Sequence, residues 1–194
     1  MVVSGFNVRK AAQVVAFFAR EQGGSINVLK LVKLIYLADR ESMNQFDAPI
    51  LYDHMVAMDH GPVNSAAYDL INGTAEGEGW SDFVGLRRGY DVPLACKVSD
   101  ENLDELSKRD LRVLNAVWSK FGRMDKYQVR DYTHQNCPEW ENPHGSSNPI
   151  PYDRIFKFLG KAHSETLADS IEDIQAMNRT FVRHSYEHIE MDAL

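Results

Sequence analysis

Cysteine is scarce in this sequence of 194 residues, which contains only Cys96 and Cys137. These two form no recognisable metal-binding or redox pair, so a cytoplasmic protein with reduced thiols is predicted. Long apolar runs are also lacking, and none approaches the roughly 20 residues that a membrane-spanning helix needs. The N-terminus has neither the basic start nor the apolar segment of a signal peptide. We therefore expect neither a secreted nor a membrane protein.

Basic residues are outnumbered, because 21 Lys and Arg face 28 Asp and Glu and give a formal net charge of −7. A protein that binds nucleic acid over a broad surface needs clustered Lys and Arg to neutralise phosphates. Arg87–Arg88 is a compact basic pair that lies between Gly85 and Gly89, as in a hairpin tip. The absence of a basic recognition helix also argues against a DNA-binding repressor. We expect no nucleic-acid partner.

Motifs for nucleotide binding and serine hydrolysis are missing, namely GxxxxGK[ST], GxGxxG and GxSxG. One short pattern does indicate zinc: His184, Glu187 and His188 match HxxEH, in which two His on one helix face bind the metal. Five letters match by chance often, and such an enzyme also needs a third ligand well downstream, whereas the sequence continues only to Leu194. A solvated helix end is the favoured interpretation.

Two other groups of residues could bind a metal or exchange a proton. Asp53–His54 and Asp59–His60 repeat along one predicted strand, which would place both His on the same face. His134 and Cys137 offer two further ligands, but a structural zinc site needs four. A hydrogen bond from His60 to the following turn is the simpler explanation. We expect no metal, no cofactor and no enzyme activity.

Hydrophobic periodicity predicts a mainly helical α+β domain with a small antiparallel β-sheet. The helix that begins near residue 27 is apolar on nearly every side, as is typical of a central helix, and we expect it to be the most buried element. Helices are predicted over residues 7–21, 26–40, 64–71, 107–121, 125–134, 152–159 and from 164 onward, and strands over 50–58, 80–86 and 90–98.

Three motifs resemble those of the Panacea domain, the SocA-like antitoxin family. They are KLVKLIYLADRE at residues 30–41, AMDHGPV at 57–63 followed by Tyr68, and YTHQNCPEW at 132–140. They occur in the order typical of that family, and the resemblance spans residues 7–159 of a predicted single domain over 1–194. The amphipathic helix predicted over 164–194 is less clearly covered.

The resemblance implies a non-enzymatic antitoxin of a type II toxin–antitoxin system, which neutralises a cognate protein toxin by direct binding. It also implies an association with phages or mobile elements, since some family members occur there. Two alternatives stay open: a proteolytic adaptor that delivers the toxin to a protease, and a less favoured metal-dependent hydrolase. The expected partners are a toxin and, for the adaptor, a protease, with neither nucleic acid nor membrane.

Some residues of these motifs are not obviously needed for core packing, and we predict that they form the toxin interface. They carry Asp, Arg, His and Pro where packing would favour aliphatic side chains. The predicted interface comprises Asp39, Arg40, Met43, His60, Gly61, Pro62, His134 and Trp140. The alternative is that His60 and His134 hydrogen-bond buried backbone and fix the fold.

Overall fold

The computed structural model describes residues 6–191, with side chains as far as Arg179. Seven α-helices and two small antiparallel sheets form within these residues, which confirms the mainly helical α+β class. The helices are α1 (Val8–Glu21), α2 (Val28–Phe46), α3 (Ser65–Asn72), α4 (Lys108–Phe121), α5 (Lys126–Asn136), α6 (Tyr152–Phe158) and α7 (Ser164–Met191). The strands are β1 (Ser25–Asn27), β2 (Met55–Met58), β3 (Gly61–Asn64), β4 (Asp91–Pro93) and β5 (Asn148–Ile150).

Helix α2 lies at the centre and packs against α1, α4, α5 and strand β3. Leu31, Leu34 and Ile35 are at most 2% exposed, as predicted. The side chain of Asn27 caps the first turn by accepting a backbone N–H, whereas the sequence favours Ser25 as the cap. Ser25 instead begins strand β1. The helix also continues to Phe46, beyond the end of its apolar pattern.

Helix α1 is as well enclosed as α2, which corrects the expectation that α2 is the most buried element. Ten of the fourteen residues of α1 are buried, against twelve of nineteen in α2. Lys30 and Lys33, which the sequence places on a narrow polar edge of α2, are only 6% and 1% exposed. That edge is therefore covered by the neighbouring elements rather than by solvent.

The three-stranded sheet has the order β3–β2–β5. Strands β2 and β3 form a tight hairpin with Met58 opposite Gly61, and Met55 and Ala57 face the core. Strand β5 lies in a segment rich in Pro, Asn and Ser that the sequence predicts to be a loop, yet it pairs with β2. This pairing joins segments about ninety residues apart, so no local pattern reports it.

The sequence predicts that residues 80–98 join β2 in one sheet, but the structure places them in a separate sheet. Only strand β4 is regular there, and it pairs with β1 in a separate two-stranded sheet. Instead of a regular hairpin, residues 80–98 form isolated antiparallel bridges from Val84 to Leu94 and from Arg88 to Asp91. Two-strand pieces of this length are marginal alone, so packing against α1 and α2 holds them in place.

Leu34→Ala should lower the free energy of unfolding by about 2–5 kcal/mol, because the side chain is 0% exposed and its removal leaves a cavity in the core. Leu86→Ala removes the same atoms from a side chain that is 92% exposed and should change stability by less than about 0.5 kcal/mol. Urea unfolding of both variants measures this. Similar values for the two would contradict the central position of α2.

Candidate functional site

A buried carboxylate joins helix α2 to the segment after α5. Glu139 is 0% exposed and accepts hydrogen bonds from the Tyr36 hydroxyl at 2.5 Å and from Arg40 Nε and Nη2 at 2.6 and 3.3 Å. Burial and the Glu139 carboxylate raise the pKa of Tyr36 well above its ordinary range, so the phenol remains a donor. These three residues are called the Glu139 cluster below. Their mutual hydrogen bonds offset the desolvation of the buried ion pair.

A lysine and a cysteine lie next to this cluster. Lys33 Nζ donates to the Pro62 carbonyl at 2.8 Å, and burial lowers the pKa of Lys33 to about 7, against a smaller opposing effect of Cys137. Cys137 is also buried, and burial raises the pKa of its thiol to about 12. A thiol with so high a pKa stays protonated at neutral pH, so Cys137 is not an activated nucleophile.

Two buried aspartates fasten the chain around the β2–β3 hairpin. Asp39 accepts hydrogen bonds from the backbone of Ile50 and Leu51 at 2.8 and 3.1 Å and from the Asn64 amide at 2.6 Å. Asp53 accepts from the first backbone N–H groups of α3 at 3.0 and 2.9 Å and thus caps that helix. Burial raises the pKa of Asp39 to about 6 and that of Asp53 to about 7.

The hairpin turn is held from the other side by α5 and the loop that follows it. The rings of His134 and Trp140 stack with centroids 4.1 Å apart, and Trp140 Nε1 donates to the Met58 carbonyl at 2.9 Å. Burial lowers the pKa of His134, which favours the neutral imidazole. Gly61 has a φ of +96°, and a Cβ there would lie 2.8 Å from Thr133 Oγ1. Both the backbone conformation and the close approach therefore require glycine.

The eight residues of the predicted interface differ in their access to solvent. Asp39, Met43, Gly61 and Pro62 are buried; Arg40, His134 and Trp140 are half-buried; His60 is exposed. The buried four contribute through the fold, because they have no surface to offer a partner. The other four reach the surface, and their contact with a toxin stays a prediction.

Lys33, Tyr36 and Glu139 are central to the network, yet the sequence does not single them out as site residues. Lys33, Tyr36 and Arg40 are three and four residues apart and so share one face of α2. Three polar side chains on one face of an otherwise apolar helix indicate a buried acceptor. Glu139, in the CPEW motif, is that acceptor for Tyr36 and Arg40.

The predicted metal candidates do not converge in the described residues. His184, Glu187 and His188 belong to α7 but lie beyond Arg179, outside the side chains that the structure describes. Asp53 faces α3 rather than His60. Across residues 6–179, no group of three or more His, Cys, Asp and Glu side chains could hold a metal ion. No helix of the described chain is long and apolar enough to cross a membrane.

The fold and the network define a mainly helical α+β domain whose three sequence motifs meet around α2. Comparison with known families identifies it: residues 31–141 match the family described as antitoxin SocA-like, Panacea domain. The match covers more than half of the chain, and the chain belongs to this family. Searches of the curated proteins and of the solved structures found no match.

Arg40→Ala should lower the free energy of unfolding by about 3 kcal/mol, since it leaves the buried Glu139 carboxylate without its cation. His60→Ala removes an exposed residue of the same predicted interface and should change stability by less than about 0.5 kcal/mol. Thermal and urea unfolding test the pair of variants. If Arg40→Ala unfolds at the wild-type midpoint, the ion pair does not stabilise the fold.

Lys33 should make stability rise with pH above neutrality. Its pKa is about 7 in the folded chain against an ordinary 10.5, so the unfolded chain binds the extra proton between these values. The free-energy penalty for burying the charged lysine is therefore present in full below pH 7. This penalty decreases as pH rises towards 10.5, by at most about 1.4 kcal/mol per pH unit.

Urea unfolding of wild type and Lys33→Met at pH 7, 8 and 9 measures the effect. The wild type should gain stability relative to Lys33→Met at each step, whereas Lys97→Met, at an exposed lysine, should follow the wild type. A constant difference between wild type and Lys33→Met would show that Lys33 stays protonated in the folded protein.

Proposed function

We propose that this protein is the antitoxin of a type II toxin–antitoxin system and that it neutralises a cognate protein toxin by direct binding. The observation that carries the proposal is the match of residues 31–141 to the SocA-like antitoxin family. The toxin is expected from the neighbouring gene, because such systems are encoded as pairs. Interface residues are sought among the predicted ones that reach the surface, namely Arg40, His60, His134 and Trp140.

The buried network supports binding rather than catalysis. Glu139, Asp39 and Asp53 each accept at least two hydrogen bonds from protein donors. Lys33 donates to a backbone carbonyl inside the fold. A general acid or base must reach a proton of the substrate, and these groups are enclosed and already paired. They act as scaffold, and the exposed surface is left for a protein partner.

The protein encoded by the adjacent gene should arrest growth when expressed alone and should be tolerated when this chain is co-expressed. The control is the same transcript with an early stop codon, which keeps the RNA and removes the protein. Rescue by the intact gene alone supports a protein antitoxin. The proposal would be refuted if the stop-codon transcript restored growth. It would also be refuted if this chain failed to relieve growth arrest caused by either neighbouring gene.

The purified proteins distinguish direct neutralisation from delivery to a protease. Direct binding predicts that toxin activity falls to background at an equimolar amount of this chain, without ATP or protease. An adaptor predicts little inhibition in the purified mixture. It also predicts loss of rescue, together with stable toxin levels, in cells that lack their ATP-dependent proteases. The results expected for an adaptor would therefore favour delivery to a protease over neutralisation by direct binding.

A further inference from the structure

Helix α4 exposes charges of one sign to solvent. Asp110, its one acidic residue, is 1% exposed and pairs with Lys10 at 2.9 Å. Arg109 is half-buried and lies 3.6 Å from the same carboxylate, so it is partly neutralised. The six exposed residues of α4 share one side of the helix, within about 140° of its circumference. They are called the α4 face: Lys108, Arg112, Asn115, Ala116, Ser119 and Lys120.

The cations of the α4 face are not neutralised by the protein itself. Among the described side chains, no carboxylate lies within 4.0 Å of Lys108, Arg112 or Lys120, or of the exposed Arg123 just beyond the helix. Lys120 donates to the Tyr132 hydroxyl at 3.1 Å instead of to an acid. These side chains are therefore available to an anionic ligand.

The acidic residues just before α4 are held by helix α1. Asp104 lies 3.5 Å from Arg9, and Glu105 accepts a hydrogen bond from the Asn7 amide at 3.0 Å. Exposed charges that lie further away than the Debye length, about 10 Å at 0.1 M salt, are largely screened. The surroundings of α4 are thus positive although the chain has a net charge of −7, because residues 107–136 carry seven Lys and Arg against three Asp.

The composition of the α4 face fits a phosphate backbone better than a protein surface. Lys, Arg, Asn and Ser side chains are among the groups that donate hydrogen bonds to phosphates in protein–DNA complexes. A protein interface instead obtains most of its binding energy from large anchors such as Trp and Tyr. The α4 face offers none, since Ala116 is its one apolar residue. Charge and composition together therefore select a nucleic acid as the ligand.

The spacing of the cations fits the major groove of duplex DNA. Arg112 and Lys120 are eight residues apart, which corresponds to about 12 Å along the helix axis. The major groove of B-form DNA is also about 12 Å wide, and it admits an α-helix. The residues of the face between these two cations, Asn115, Ala116 and Ser119, are short and allow the helix to approach the bases. The major groove of A-form RNA is too narrow for this.

We propose that α4 binds duplex DNA, with its cations on the phosphates at both edges of a major groove and with Asn115 and Ser119 towards the bases. The inference is independent of the proposed antitoxin function, and it revises the expectation that no nucleic acid is bound. That expectation rests on net charge and on runs of Lys and Arg. The cations of α4 are separated along the sequence and gather on one side only when the helix forms.

Fluorescence anisotropy of a labelled duplex of about 20 base pairs, of random sequence, tests the proposal with the full chain. Wild type should bind at 50 mM NaCl with a dissociation constant on the order of micromolar. With Lys108, Arg112, Lys120 and Arg123 on phosphates, the logarithm of the affinity should fall with the logarithm of the salt concentration with a slope of about −3.6. No binding at 50 mM NaCl would overturn the proposal.

Arg112→Gln/Lys120→Gln removes one cation at each edge of the groove. This variant should bind the DNA at least about 10-fold more weakly, and the magnitude of its salt slope should decrease by about two. The control Lys97→Gln/Lys157→Gln makes the same charge change at exposed lysines elsewhere and should stay within about 2-fold of wild type. Circular dichroism and thermal midpoints establish that both are folded. Wild-type affinity in the folded Arg112→Gln/Lys120→Gln variant would contradict the role of α4.

A second variant tests the centre of the face without removing a cation. Ser119→Glu places a carboxylate there and should weaken DNA binding at least about 5-fold, because it repels the phosphates. Ser119→Gln has the same size without the charge and should stay within about 2-fold of wild type. If the two variants bind DNA equally well, the phosphates do not contact this face.

Two further ligands separate the proposal from its alternatives. A duplex RNA of the same sequence should bind at least about 5-fold more weakly than the DNA, because its major groove does not admit the helix. Equal affinity for both duplexes would show charge attraction without groove recognition and would overturn the assignment. The purified adjacent-gene toxin is the other ligand. If Arg112→Gln/Lys120→Gln lost toxin binding but kept wild-type DNA binding, the α4 face would belong to a protein partner instead.

Discussion

Burying the Glu139 carboxylate is the constraint on which the centre of this structure depends. An enclosed carboxylate without partners would oppose folding by several kcal/mol. Glu139 therefore requires donors that are fixed in place, and Tyr36 and Arg40 of helix α2 supply them. The segment that carries Glu139 must in turn sit against α2. One ion pair and one phenol thus set the position of a segment about one hundred residues away along the chain.

The same helix positions the hairpin through a second set of contacts. Lys33 holds the Pro62 carbonyl, and Asp39 holds both Asn64 and the backbone that leads into β2. From the opposite side, Trp140 holds the Met58 carbonyl. Each contact satisfies a polar group that the packing of α2 would otherwise leave buried and unpaired. Most of the residues in this arrangement belong to the three sequence motifs, at residues 30–41, 57–63 and 132–140.

Local chemistry explains what could be predicted from the sequence. In the sequence, Ser107 with Asp110 and Asp125 with Gln128 have the spacing of capping boxes, and both boxes form at the starts of α4 and α5. Helix signals of this kind involve residues within one turn of each other.

The errors concern partners that are distant in sequence. Lys33 looks like a surface residue until its acceptor on β3 is known, and strand β5 looks like a loop until β2 lies beside it. Among the predicted interface residues, Met43 is buried because α2 continues past its apolar pattern and is covered there. Asp39 is buried because Ile50, Leu51 and Asn64, which are distant in sequence, lie against it. The type of a side chain tells its polarity, whereas its burial depends on which other segments pack against it.

Arg40 shows how the buried network fixes a side chain that also reaches the surface. Its Nε and Nη2 atoms donate to Glu139, and the side chain keeps 19% exposure at a surface groove that residues of α2, α4 and α5 line. A guanidinium has five N–H donors in a rigid plane, so the interior contact leaves others free. Because Glu139 is itself held by Tyr36, the plane of Arg40 is fixed before any partner arrives. A partner carboxylate that reached Arg40 would meet a donor whose side-chain entropy has already been lost on folding. Less of the free energy of that contact would be spent on ordering the side chain, so more of it would appear as affinity.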